Sequence, residues 1–174
     1  MSEQAVRQYA DGRRFSAPTT ERWLRSDARD ALLGIAEGLR LGENQLRDLL
    51  DAIEDIAARR GCAAGAVLQL EPVSAVLRGK LGRNDQVKAL KAALRRLRYP
   101  QLTATEERLR QLARRLELPA AARLELPADL EGSEVTLILR AGSAAALCEL
   151  LDAAAAAARR PELDEMFRVL GGES

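Results

Sequence analysis

Arg123-Leu124-Glu125-Leu126 and Glu134-Val135-Thr136-Leu137-Ile138-Leu139-Arg140 are the two stretches that interrupt an otherwise helical sequence. Polar and apolar residues alternate through them, the two-residue period of a strand with one face covered. Asp129-Leu130-Glu131-Gly132-Ser133 joins them, and its Asp, Gly and Ser suit a turn, so the spacing predicts a β-hairpin. Two strands alone are marginal in water. Flanking helices must cover the hairpin, or a second copy must pair with it.

On both sides the apolar period lengthens to three and four. Ahead of the hairpin, Thr103 or Thr105 opens a helix carrying Leu109, Leu112, Ala113 and Leu116, closed by Pro119. After it, Gly142-Ser143 caps a helix with Leu147, Leu150 and Leu151, and Pro161 starts a last one with Leu163, Met166, Phe167 and Leu170. Working back, Asn84 caps a helix with Val87, Leu90, Leu94 and Leu97 on one stripe, ended by Pro100. Two short helices divided at Glu71-Pro72 fit between Cys62 and Lys80. An αα-hairpin with the turn Leu41-Gly42-Glu43 precedes them: Ser26 and Asn44 are candidate N-caps, and Gly42 and Gly61 candidate stops. Ser16 to Thr20 supply helix-start chemistry ahead of Trp23 and Leu24. The fold class expected is mainly α, a helical N-terminal part followed by a small α-β-β-α unit. Residues 1–15 are expected to be a flexible N-terminus, 16–99 a helical domain, and 100–174 the α-β-β-α unit with its C-terminal helix.

Composition agrees with helices. Of 174 residues, 47% are apolar, 30% charged and only 3% aromatic, so the core falls to Leu, Ala, Val and Ile. No basic-then-apolar leader is visible after Met1, and Glu149 and Asp152 interrupt the most apolar stretch, 144–158. A cytoplasmic protein without membrane contact is expected. Cys62 and Cys148 stand apart in Ala-rich settings and read as small buried residues.

The chain has no histidine, which removes the commonest general base and the commonest metal ligand. Neither a catalytic residue, nor a metal site, nor a cofactor is expected. Asp48, Asp51, Glu54 and Asp55 recur along one helix opposite Leu46, Leu49, Leu50, Ile53 and Ile56, the pattern of a solvated face. Gly79-Lys80-Leu81-Gly82 lacks the spacing of a phosphate loop and reads as a turn between helices.

Charge is unevenly spread. Ser74 to Leu118 hold twelve Lys or Arg against four acids, a net +8, whereas 119–174 carry a net −5 and 1–73 a net −2. Lys88, Lys91, Arg95, Arg96 and Arg98 line one helix, and Arg108, Arg110, Arg114 and Arg115 the next. These nine are the candidate nucleic-acid-binding residues, because such a face can contact duplex phosphates by counterion release. The competing reading is that they solvate their helices and pair with acids of the same chain. Tyr99 is the one aromatic residue in the segment, which favours duplex backbone over single strands.

The order helix, strand, strand, Leu-bearing helix over residues 105–158, with Gly132-Ser133-Glu134-Val135-Thr136-Leu137 leading to Ser143, resembles the C-terminal dimerisation unit of ParB-type partition proteins. That resemblance implies a homodimer touching DNA through its backbone. The Arg-rich nucleotide-binding motif of those proteins is not found. Two functions therefore stand at this point. One is a non-catalytic, dimeric, DNA-associated binding protein contacting duplex phosphates. The other is a protein–protein adaptor or assembly factor with no nucleic-acid role, whose N-terminal half offers a groove and whose acidic face meets a basic partner.

Overall fold

The computed structural model describes residues 2–127, 130 and 132–172. They form ten helices and one two-stranded antiparallel sheet, in two compact units, 1–100 and 101–174. The protein is mainly helical with a small α-β-β-α unit.

The first unit holds α1 (Ser2–Gly12), α2 (Ala17–Arg25), α3 (Arg29–Leu39), α4 (Glu43–Arg60), α5 (Ala64–Val67), α6 (Val73–Arg78) and α7 (Arg83–Arg98). Helix α4 is its spine. Leu46, Leu49, Leu50, Ile53 and Ile56 are all buried, each worth roughly 1.5–3 kcal/mol when fully removed from water. Leu90, Ala93 and Leu94 of α7 join the same core. Gly61 ends α4 in the left-handed conformation, φ 61°, which only glycine adopts without a Cβ clash.

Residues 1–15, expected to be loose, contain α1 instead. Val6 and Ala10 are fully buried, and the Tyr9 hydroxyl donates to the carbonyls of Ala36 and Leu41 at 2.7 and 2.9 Å. Tyr9 also packs edge-on against Phe15 and Trp23, with ring centroids 5.9 Å apart in both pairs. Three short apolar positions were too few to reveal a helix whose partners lie far along the chain.

Several caps also differ from expectation. Arg40, not Gly42, ends α3 in the left-handed region at φ 50°, and Gly42 instead precedes α4, its N–H donating to Gln45 Oε1. Asn44 lies inside that helix. Ser26 closes α2, and α3 starts three residues later. Glu43 joins the starts of α2 and α4 by accepting hydrogen bonds from the hydroxyls of Ser16 and Thr19. Asn84 sits within the first turn of α7, after Gly82.

The second unit comprises α8 (Pro100–Arg115), β1 (Ala122–Glu125), β2 (Thr136–Leu139), α9 (Ala144–Ala158) and α10 (Pro161–Leu170). Pro100 was expected only to stop α7. It is the first residue of α8, where proline's missing N–H costs nothing, so neither Thr103 nor Thr105 opens that helix. Ala122 pairs with Leu139 and Glu125 with Thr136 across the hairpin. Asp129 and Glu131 of the connector lie outside the described residues. Ser143 caps α9 by accepting from the Ala146 N–H at 3.1 Å, and Pro161 starts α10. The core here is small: Leu109, Leu112, Leu116, Ala157 and Met166, edged by part-buried Leu124, Leu126 and Leu163.

Candidate binding surfaces

The nine basic residues divide between the units, five on α7 and four on α8. On α7, the Lys91 ammonium donates to Asp48 at 2.7 Å and the Arg98 guanidinium to Asp55 at 2.6 Å. Asp55 also accepts from Arg59 at 3.1 Å, and Arg22 of α2 spans Asp51 and Glu54, both at 2.6 Å. The acidic stripe of α4 thus faces solvent in part, as expected, and is also paired across helices. Its carboxylates are held by cations of α2, α4 and α7, because burying the opposite stripe brings those helices alongside. The hydrogen bond from Arg98, aided by the nearby Arg59 charge, holds the Asp55 carboxyl below its ordinary range.

On α8, Arg108 donates to Glu165 of α10 at 2.8 Å, which lowers the pKa of that carboxyl, and Arg110 pairs with Glu106 one turn back. Lys88, Arg96, Arg114 and Arg115 are exposed and make no ion pair with a described residue. The C-terminus of α8 is closed by Arg160, which donates to the Arg115 carbonyl at 2.6 Å and to Glu117 at 2.7 Å.

Two hollows stand out by their lining. One, about 230 Å³, lies between α4 and α7, bounded by Asp48, Leu49, Ala52, Lys91, Leu94, Arg95, Arg98 and Tyr99. The Tyr99 ring is 37% exposed, with the Arg98 and Arg59 guanidinium carbons 5.2 and 5.7 Å from its centroid. The other, about 130 Å³, belongs to the second unit, and every residue lining it is apolar, among them Leu124, Leu137, Leu163 and Phe167. Near it in sequence, α9 exposes Leu147 and Leu151, the latter by 51%, and Phe167 of α10 is 43% exposed. Three of the five aromatic residues make the Tyr9-Phe15-Trp23 cluster; the two left at the surface, Tyr99 and Phe167, each border one of these hollows.

The sequence pattern gave no warning that Leu151 and Phe167 face water, since their spacing is that of core residues. Cys62 and Cys148, expected to be buried, are both exposed free thiols: Cys62 follows the Gly61 stop and Cys148 lies on the open side of α9. Among the described residues no group of three or more acidic or cysteine side chains is placed to hold a metal ion. No described helix is long and apolar enough to cross a membrane. Gly79 to Gly82 form the turn between α6 and α7. Comparison with family models, with curated proteins and with solved structures gave no match.

Proposed function

We propose that this chain is a non-catalytic protein–protein adaptor or assembly factor whose C-terminal α-β-β-α unit associates with a second copy of itself. One observation carries the reading: that unit has an all-apolar hollow lined in part by Leu137 and Phe167, both open to water, and α9 exposes Leu151 as well. A five-residue core is thin support for a hairpin with two unpaired edges, and contiguous exposed apolar surface marks an interaction site. A second copy offers the same face and the same edges, so the contact closes by two-fold symmetry. The resemblance to the partition-protein dimerisation unit points the same way.

Mass in solution tests it. The chain is expected at twice its 19.0 kDa mass, and Leu151→Glu with Phe167→Glu is expected to restore the monomer with its circular dichroism retained. A wild-type monomer at all accessible concentrations would defeat the reading.

A DNA-associated function of the same dimer is the second reading, favoured by the unpaired cations Lys88, Arg96, Arg114 and Arg115. It ranks below the first because Lys91, Arg98, Arg108 and Arg110 are engaged by carboxylates, which offset the charge a phosphate would meet. Replacing Arg95, Arg96 and Arg98 by Glu separates the readings: DNA retention is lost under the second, while self-association survives under the first. Affinity for duplex DNA unchanged between low and moderate salt would remove the second reading altogether.

A further inference from the structure

We propose that the cleft between α4 and α7 is a docking site for an acidic peptide segment of a partner protein. The segment inserts an apolar side chain over Leu49, Ala52 and Leu94 and sets a carboxylate against Lys91 and Arg95. This builds on the adaptor reading but uses a surface distinct from the self-association face.

The shape comes first. Leu49 and Leu94 are buried beneath a hollow of about 230 Å³, below the roughly 300 Å³ at which small-molecule sites begin and suited to one or two side chains. Tyr99 forms one wall, and Arg59 and Arg98 fix its ring from the flanks, so a large rigid contact is offered at little entropic cost.

Charge then chooses the occupant. Lys91, Arg95 and Arg98 line the cleft against one carboxylate, Asp48. The whole first unit carries eighteen Lys or Arg against thirteen Asp or Glu. The α4 acids that could have attracted a basic partner are already taken by Arg22, Arg59, Lys91 and Arg98. An incoming carboxylate need not displace them. The Lys91 ammonium has three donors and Asp48 uses one. Duplex DNA fits less well, because the hollow has room for one or two side chains and its buried apolar floor gives a phosphate nothing.

The test is a titration of the full-length ¹⁵N-labelled chain, followed by amide shifts, with the peptide acetyl-Glu-Glu-Leu-Phe-Glu-Glu-amide. Saturable shifts are expected in residues 48–52 and 91–99, and the same peptide with Gln for every Glu should bind about tenfold more weakly, a difference of about 1.4 kcal/mol. Lys91→Gln with Arg95→Gln should weaken the acidic peptide similarly. Arg114→Gln with Arg115→Gln should leave it unchanged. Raising salt on the wild-type chain gives the same reading without a variant, should the first one melt early. No shift in those segments at about 1 mM peptide, where even a 4 kcal/mol contact would show, overturns the proposal. So does equal binding of the Gln peptide, or movement of the same amides by duplex DNA alone. Self-association is read from mass, so a failure there is distinct from a failure here.

Discussion

The two units solve the same problem with unequal means. The first closes on itself: twenty buried residues, among them Trp23 and the apolar stripe of α4, lie beneath a surface of cross-helix ion pairs. The core cluster of the second holds five, and α9 hides only Leu150 and Ala157 out of fifteen residues. Both are built from Leu, Ala, Arg and Glu, so composition does not separate them. What differs is how many elements surround each apolar stripe. Six helices can enclose α4, whereas a hairpin of two four-residue strands and three helices leave faces open. A unit that cannot finish its own core is where a partner gains the most by binding.

Trp23→Ala attacks the better-built side of this contrast. Removing a fully buried ring from the aromatic cluster is expected to destabilise the first unit by about 3–5 kcal/mol, read by chemical denaturation followed by circular dichroism. Met166→Ala does the same to the thinner core. A loss of about 2–5 kcal/mol there, seen as lost hydrogen-exchange protection across 101–172, should leave the second unit unfolded in much of the population. A far smaller effect would mean that the second core is not what holds its helices.

Acid probes the ion-pair surface. Asp55, Glu43, Glu71 and Glu165 all have depressed pKa values, set first by hydrogen bonds from Arg98, Ser16, Ser74 and Arg108 respectively. A depressed folded pKa means that the unfolded chain binds the proton more readily. The stabilisation is thus complete above the ordinary values of 3.8 and 4.5, and is lost as pH falls through them to the folded values. Three of the four groups lie in the first unit, so its melting temperature should fall more steeply below pH 4.5 than that of the second. Asp55→Asn is the mildest change. It removes the charge opposite Arg98 and Arg59 and is expected to lower the melting temperature only slightly, because the pair is only partly shielded from water. It should also flatten the acid dependence.

Much of the fold was legible along the chain. The apolar stripes of α4 and α7 recur every three or four residues and were read as helices, and alternation around Leu124 and Leu137 marked both strands. Gly61 and Pro161 announced a helix stop and a helix start through backbone geometry that depends on no neighbour. Helix α1 was missed because Tyr9 and Val6 find their partners 27 and 32 residues on from Tyr9, and inside the core cluster. Pro100 was misread because one proline both ends a helix and begins the next, and nothing local decides between the roles.

The candidate surface was legible only as a list of cations. Spacing placed Lys91, Arg95 and Arg98 on one side of α7, but a period says nothing about which helix will lie opposite. Helical register and the hairpin are short-range matters, fixed by propensity and by where apolar side chains fall along one element, and the sequence alone determined them. That Asp48 meets Lys91 across 43 residues, that Tyr99 stands in a basic cleft, and that Leu151 and Phe167 stay in water were decided by packing. Those contacts join residues distant in the chain, and their existence depends on which faces the whole fold can afford to cover.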